Sequence, residues 1–272
     1  MLAVVDQAKK AAGAGLTTIL LGETGTGKSV LARQMHAWSG RKEAFVEVNC
    51  ANLGASLAES ELFGHTRGAF TGADRAKQGR FKEAHGGTLF LDEVGELSLE
   101  VQAKLLTAVE RGTFRPVGSD RVEHADVYLI VATHRDLRAM VEAGSFREDL
   151  YYRLLGCVLT LPPLRERIVE IAPMVDRLLA RHPRADGQPW RLGEGALAVL
   201  HAHRWPGNVR ELVQLGLRAV ASLPGPVIEA EALRELLAPG EGPPSPRTWV
   251  LQRLRAGPLG RSALFDGFAA AV

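Results

Sequence analysis

Nearly continuous apolar runs alternate with amphipathic segments over residues 1–163 of the chain. The apolar runs predict strands at Thr18–Leu21, Phe45–Asn49, Thr88–Glu93, Val127–Ala132 and Val158–Leu161. The amphipathic segments predict helices at Met1–Ala12, Val30–Met35, Leu57–Phe63, Leu99–Val109, Leu137–Ala143 and Phe146–Leu155. A hairpin is expected within Thr113–Val122. Strands that are apolar throughout are typical of a parallel sheet with helices on both faces, so this part is predicted to be an α/β domain.

After Pro162 and Pro163 the pattern becomes purely helical. Four segments with helical spacing follow, at Ile168–Arg181, Glu194–His203, Val209–Leu223 and Glu229–Leu237. We therefore predict a small all-helical second domain over residues 164–238. Residues 239–272 begin with a run rich in proline and glycine and are predicted to be a linker and a partial C-terminal tail. Within that tail, residues 249–260 have the features of the first helix and turn of a helix-turn-helix, but no convincing recognition helix follows.

Composition narrows the class of protein. The chain has 272 residues and a net charge of +2, which is too small to indicate a nucleic-acid surface from charge alone. It has no apolar run long enough to span a bilayer and no signal-peptide pattern, so we expect a cytoplasmic protein. The two cysteines, Cys50 and Cys157, are each beside an apolar run, which favours buried free thiols over a disulfide. His201 and His203 lack partner ligands and are interpreted as ordinary helix residues.

A phosphate-binding pattern lies between the first predicted strand and the following helix. It consists of Gly22, Glu23, Thr24, Gly25, Thr26, Gly27, Lys28 and Ser29. Glycines allow a tight turn whose backbone N–H groups point at phosphate oxygens, and the helix dipole favours the negative charge. Lys28 is expected to reach the β- and γ-phosphates, and the Ser29 hydroxyl to bind Mg²⁺. The alternative is a chance glycine-rich turn, which the flanking strand and helix argue against.

Two carboxylates, Asp92 and Glu93, end the third predicted strand. Ligands of open α/β sheets bind outside the carboxyl ends of the strands, which is where these residues should lie. Asp92 is expected to hold Mg²⁺ directly or through water, and Glu93 to polarise a water for attack on the γ-phosphate. A solvated strand end is the alternative, and the phosphate-binding pattern upstream argues against it.

Several further motifs occur in a fixed order along the chain. They are Glu59–His65, Gly68–Ala73, Gly86–Glu93, Phe146–Leu154, Leu161–Arg167 and Trp205–Leu212. Together with the phosphate loop, they resemble the ATPase domain of the bacterial enhancer-binding proteins that activate sigma-54 RNA polymerase. These proteins are AAA+ ATPases, and the nitrogen regulatory protein C group is the best known. The resemblance extends from the first residues to about Leu237, and it implies that the helical domain is a lid over the nucleotide.

The resemblance also implies roles for single residues. Asn49 would be a polar switch that holds Glu93 away from water. Thr133 would sense the γ-phosphate, and Arg210 would be a second sensor on the lid. Two arginines, Arg147 and Arg153, resemble arginine fingers that enter a neighbouring subunit's site. Their alternative is a surface ion pair with Glu148 or Asp149. His134 follows Thr133 where many relatives have asparagine, which leaves the contribution of His134 to sensing open.

The sigma-54 contact implied by the resemblance is a six-residue signature. Its residues are Gly68, Ala69, Phe70, Thr71, Gly72 and Ala73. Its glycines, with Gly64, break regular structure, so we expect a mobile loop that exposes Phe70. The alternative is a phenylalanine packed under a local turn.

The implied function is hydrolysis of ATP with Mg²⁺, coupled to remodelling of the sigma-54 polymerase at a promoter. The implied assembly is a ring, a hexamer by resemblance. DNA binding is expected of the full-length protein, and no membrane contact is expected. Two other classes stay open: a different AAA+ machine, against which the intact signature argues, and a non-hydrolysing DNA-binding regulator, against which Glu93 argues.

Overall fold

The structure is a computed structural model and describes residues 1–184 and 187–238. The main strands are β1 (Thr18–Leu21), β2 (Phe45–Asn49), β3 (Thr88–Asp92), β4 (Tyr128–Thr133) and β5 (Cys157–Thr160). The helices of the α/β part are α1 (Leu2–Gly13), α2 (Lys28–Ser39), α3 (Ala55–Phe63), α4 (Arg80–Glu83), α5 (Leu99–Arg111), α6 (Leu137–Glu142) and α7 (Glu148–Leu154). The helices of the second part are α8 (Ile171–Arg181), α9 (Ala196–Ala202), α10 (Asn208–Ser222) and α11 (Ala230–Leu237).

The five main strands form one parallel sheet in the order β2-β3-β4-β1-β5. This confirms the predicted sheet: β1 and β2 have the predicted limits, and the limits of the other three strands differ from the prediction by one residue. Strand β4 lies in the centre of the sheet and is buried along its whole length. Because all five strands are parallel, their carboxyl ends lie along one edge, which brings together the residues that follow β1, β2, β3 and β4.

The sheet separates two hydrophobic clusters. Leu89 and Leu91 of β3 pack on one face with α5 residue Leu105. Phe90, between them in sequence, faces the other side with α2 residue Met35. These five side chains are inaccessible to solvent, and so is Ile130 of β4 on the second face. Burial on both faces explains why these strands are apolar throughout and do not alternate between apolar and polar residues.

The helical second part has its own core around Trp205. The Trp205 side chain is fully buried, and its Nε1–H donates to the Leu200 carbonyl oxygen at 2.8 Å. The four predicted helices are confirmed, but the part is not purely helical. Arg191–Leu192 and Val227–Ile228 form a short parallel pair of strands, which the sequence analysis does not predict. Two-residue strands are too short to produce a hydrophobic period, and only tertiary contacts bring them together.

Two short antiparallel pairs extend from the α/β part. Thr113–Phe114 pairs with Glu123–His124, so a hairpin is present, but its second strand lies just beyond the predicted limit at Val122. Gly64–His65 pairs with Lys77–Gln78, and this pair frames the glycine-rich signature.

The predicted linker and tail at residues 239–272, including the partial helix-turn-helix, lie outside the described residues. Within residues 1–184 and 187–238, none of the helices has the length and hydropathy required to cross a membrane.

Candidate nucleotide-binding site

The phosphate loop connects β1 to α2 in a conformation that depends on glycine. Gly25 and Gly27 have φ angles of 81° and 103°, in the left-handed region that other residues avoid. The loop also lies close to its neighbours. A Cβ atom on Gly25 would be 2.3 Å from the carbonyl oxygen of Gly207, which belongs to the helical part. Glycine is therefore required at position 25 for both conformation and space.

Lys28 begins α2 and is almost fully buried, with 6% of its surface exposed. Its ammonium group donates to the carbonyl oxygens of Gly22 at 2.7 Å and Glu23 at 3.3 Å. Burial lowers the pKa of Lys28, while the nearby Glu93 and Asp92 carboxylates act in the opposite direction. A buried ammonium with few anionic partners is well suited to receive a polyanionic ligand, because the ligand would supply the missing countercharge.

A cleft of about 730 Å³ opens beside this lysine, within the usual size range for small-ligand sites. Both the α/β part and helix α10 contribute to its walls. The cleft is lined by Thr24, Gly25, Gly27, Lys28, Ser29, Val30, Asn49, Asp92, Glu93, Val209, Arg210, Val213 and Gln214. The cleft thus brings together predicted site residues that lie far apart in sequence.

The two carboxylates of the cleft have different environments. Burial raises the pKa of Asp92, the Glu93 charge raises it further, and Lys28 opposes both. Glu93 has a left-handed backbone with a φ of 54°, which turns its side chain away from the line of β3. Its Oε2 atom lies 2.8 Å from His134 Nδ1 and accepts hydrogen bonds from the His134 backbone N–H at 3.3 Å and the Thr133 hydroxyl at 3.4 Å. Residues at the end of β4 therefore hold the Glu93 carboxylate.

Asn49 lies in the same cleft but bonds elsewhere in this structure. Its side-chain oxygen accepts from the Ala51 backbone N–H at 2.9 Å. The Glu93 carboxylate has Thr133 and His134 as its partners instead. The switch role of Asn49 stays a prediction, as do the sensor roles of Thr133 and Arg210.

The donor groups expected for Mg²⁺ are present at the cleft. Ser29 supplies a hydroxyl and Asp92 a half-buried carboxylate, both on its lining. Across the described part of the chain, no group of three or more His, Cys, Asp or Glu side chains could hold a metal alone. Mg²⁺ is usually held by one or two protein oxygens together with water and substrate phosphates, and Ser29 and Asp92 could supply such oxygens.

The two predicted arginine fingers do not line the cleft of their own chain. Arg147 forms a bidentate ion pair with Asp149, at 3.0 Å and 2.6 Å, which is the surface pairing considered as the alternative. This pair raises the pKa of Arg147 and lowers that of Asp149. Arg153 is exposed on α7 and donates to the Val109 carbonyl oxygen at 3.4 Å. The finger role of Arg147 and Arg153 stays a prediction.

The glycine-rich signature closes on itself as a compact loop. The Gly68 N–H donates to the Ala73 carbonyl oxygen at 2.8 Å, and the Ala73 N–H donates to Phe70 O at 3.0 Å. Thr71 is exposed, but Phe70 is only half exposed because its ring packs edge-on against His65 with 5.0 Å between centroids. The expectation of an exposed Phe70 is therefore only partly correct, and so is the alternative of local packing.

The structure also brings to the phosphate loop residues to which the sequence analysis assigned no role. Arg165, Arg167 and Asn208 contact the loop from the helical part. Two of the quoted motifs, Leu161–Arg167 and Trp205–Leu212, contain them. These motifs were the only indication in the sequence that the three residues have a role, because sequence spacing does not show that they contact the phosphate loop.

Family models match both parts of the chain. A model described as the sigma-54 interaction domain matches residues 1–160, and one described as an AAA+ ATPase lid domain matches residues 165–248. Among curated proteins, the Nif-specific regulatory protein of Azotobacter vinelandii is 48% identical over 213 residues, which are 78% of this chain and 41% of that protein. The DNA-binding transcriptional regulator NtrC of a Bradyrhizobium species is 44% identical over 225 residues, which are 82% of this chain and 47% of that protein. The chain spans about half the length of the curated relatives it matches.

Solved structures share the fold. NtrX from Brucella abortus in complex with ATP superposes with a TM-score of 0.77 and 32% identity, covering 95% of this chain and 57% of that one. Its complex with ADP gives a TM-score of 0.78 with the same identity, covering 94% and 57%. RuvB from Thermotoga maritima has a TM-score of 0.61 at 17% identity, covering 98% and 81%, which is a likeness of fold alone.

Proposed function

The chain belongs to the sigma-54 interaction domain family of AAA+ ATPases, and on that premise we propose that it hydrolyses ATP with Mg²⁺ to remodel a promoter complex of sigma-54 RNA polymerase. In this proposal residues 1–163 are the catalytic core, residues 164–238 are the lid, and residues 239–272 are a linker and tail. We also propose that the protein acts in the cytoplasm and that the full-length protein binds DNA.

One observation carries the proposal: Lys28, Ser29, Asp92, Glu93 and Arg210 line a single cleft between the α/β part and helix α10. Their chemistry matches the needs of phosphoryl transfer. Cations neutralise the phosphate oxygens, the hydroxyl and one carboxylate provide magnesium ligands, and the second carboxylate orients water. NtrX, whose fold this chain shares, has been solved with both ATP and ADP.

Glu93 is the group that we assign to the attacking water. The Glu93 side chain is 14% exposed and is held at Oε2 by the end of β4. Its other oxygen, Oε1, is left to accept a hydrogen bond from water and orient it toward the γ-phosphate. Thr133 and His134, which hold the carboxylate, are well placed to change its position when phosphate is bound or lost.

Hydrolysis would further require a second copy of the chain. Arg147 directly precedes α7 and Arg153 lies on it, and neither residue lines the cleft of its own chain. We propose that they enter the cleft of a neighbour in a ring, where a guanidinium would neutralise the charge on the transferring phosphoryl group. The glycine-rich signature of each copy would then deliver the resulting movement to sigma-54.

Replacing Glu93 tests the proposal. Glu93→Gln keeps the size of the side chain but removes the carboxylate charge, so ATP binding should persist while hydrolysis falls by about 10²–10⁴-fold. Open-complex formation at a sigma-54 promoter should fail with it. The matched control is Glu96→Gln, in the same turn but paired with Arg135 at 2.5 Å. Hydrolysis by Glu93→Gln at the rate of the unaltered protein would contradict the assignment.

A further inference from the structure

The Glu23 carboxylate bonds to the lid, although Glu23 is the second residue of the phosphate loop. It accepts two hydrogen bonds from the Arg165 guanidinium, at 2.9 Å and 2.6 Å, and one from the Asn208 side-chain amide at 3.1 Å. These partners lower the pKa of Glu23 to about 2. The carboxylate therefore stays ionised, and its charge is matched by a guanidinium from the other part of the molecule.

Asn208 joins three segments at once. It is fully buried, its side-chain oxygen accepts from the Leu164 N–H at 2.8 Å, and its amide also donates to the Thr24 carbonyl oxygen at 3.0 Å. Its backbone is left-handed, with a φ of 54°. A strained conformation of this kind persists only where its surroundings fix it, and asparagine is among the few residues that tolerate it.

Backbone carbonyl groups of the same loop also accept hydrogen bonds from the helical part. The Val209 N–H donates to the Gly25 carbonyl oxygen at 3.0 Å, and Arg167 donates to Thr26 O at 2.6 Å. Arg167 is 6% exposed, so this bond is shielded from water. The lid therefore contacts successive residues of the phosphate loop from Glu23 to Thr26.

Charge explains why such a connection would affect a ligand. An uncompensated carboxylate on the phosphate loop would repel a phosphate anion across a short distance. Arg165 compensates that charge and draws the carboxylate toward the lid. If the lid moved away, it would leave the Glu23 charge unpaired and release the loop carbonyls at the same time.

We propose that Glu23, Arg165 and Asn208 form a latch that couples the position of the lid to the phosphate affinity of the loop. The inference rests on the proposed function, because it assumes that the cleft binds a nucleotide. The three are positioning residues: they act through the loop backbone and not on the reacting atoms. By reciprocity, a bound nucleotide would in turn hold the lid in place.

A double-mutant cycle tests the latch, with the dissociation constant of a fluorescent ADP analogue as the readout. Arg165→Met leaves the Glu23 charge uncompensated, so we expect ADP binding to weaken about tenfold, within the usual range of site–site coupling. Glu23→Gln should weaken it less, about threefold, because the repulsion is lost together with the latch. Adding Glu23→Gln to Arg165→Met should therefore restore part of the affinity. Hydrogen exchange at the Val209 amide should also accelerate in Arg165→Met.

The control is Arg41→Met, which breaks the 2.9 Å ion pair between Arg41 and Asp126. This pair also joins segments that are distant in sequence, but it lies near the amino ends of the strands, away from the cleft. Arg41→Met should leave ADP affinity unchanged. Unaltered affinity in Arg165→Met, or a double variant that binds more weakly than Arg165→Met, would overturn the latch. Melting-temperature losses without a change in ADP affinity would show a merely structural role and overturn it as well. Failure of the unaltered protein to bind ADP would instead refute the proposed function and the latch together.

Discussion

The close approach of the lid to the phosphate loop allows a quantitative prediction for Gly25→Ala. Two effects add at this position. The left-handed backbone, with a φ of 81°, costs a residue with a Cβ atom about 1–2 kcal/mol. The new Cβ atom would also lie 2.3 Å from Gly207 O, so the two segments would have to separate by about 0.7 Å to reach the 3.0 Å that real contacts require.

That separation has consequences at the cleft. The Val209 N–H to Gly25 O hydrogen bond, 3.0 Å long, would stretch beyond hydrogen-bonding distance. Arg210 follows Val209 and would shift with it, away from the phosphate site. A displacement of about 1 Å in a catalytic constellation can cost about 10²-fold in rate. We therefore expect Gly25→Ala to lower ATP hydrolysis by about tenfold to a hundredfold.

Gly40→Ala is the matched control. Gly40 ends α2 with a φ of 73°, and a Cβ atom there would meet nothing within 4 Å. Urea unfolding should show a loss of about 1–2 kcal/mol for Gly40→Ala and a larger loss for Gly25→Ala, because only Gly25→Ala adds the clash to the cost of the left-handed backbone. Steady-state ATPase assays at a temperature where both are folded should separate them. Hydrolysis by Gly25→Ala within twofold of Gly40→Ala would refute the reasoning, because it would mean that the lid can retreat without disturbing the site.

Two further predictions concern contacts outside the chain. Phe70→Ala and Thr71→Ala should keep ATPase activity within a few-fold, since neither residue lines the cleft, yet lose binding to sigma-54 measured with ADP–aluminium fluoride. The control Thr107→Ala, which alters another exposed threonine, should bind sigma-54 normally. Full binding of sigma-54 by Phe70→Ala would exclude the loop as the contact. Mixing inactive Arg153→Ala with inactive Lys28→Ala should recover some hydrolysis, because mixed rings contain interfaces that pair an intact phosphate loop with an intact Arg153. If no mixing ratio restores hydrolysis although mixed rings are shown to form, the arginine does not act between subunits.

The sequence was sufficient for the sheet and for the phosphate loop and carboxylates of the cleft, because these depend on local signals. Apolar runs such as Tyr128–Thr133 are buried on both faces, and this leaves a pattern that can be read without the structure. The phosphate-binding pattern and the acidic end of β3 specify their chemistry by residue type and spacing. Asp92 and Lys28 then share a cleft because parallel strands end on the same edge of a sheet.

Side-chain partners over long range could not be predicted in this way. Glu23 reads as an ordinary variable position of the phosphate loop, yet its partner Arg165 is 142 positions away. The edge-on contact between Phe70 and His65 spans only five positions, but it depends on how the Gly64–His65 strand folds back. Spacing alone cannot distinguish that packing from an exposed loop, because the glycines permit both.

The proposed site has a nucleotide-binding half and a half that supplies the catalytic arginines, and a single chain holds only the first of these in place. The phosphate loop is held from both sides, by the sheet and by lid groups such as Asn208, so a single chain supplies the fixed conformation of the proposed nucleotide-binding half. The proposed catalytic arginines are exposed, and Arg147 is neutralised by Asp149. A second copy would therefore have to break or outcompete that ion pair before Arg147 could reach a phosphate. We therefore predict that nucleotide binding and hydrolysis can be separated: an isolated chain should bind nucleotide, whereas hydrolysis should require assembly. Solvent screens an exposed ion pair of this kind, so the pair is weak enough for assembly to overcome.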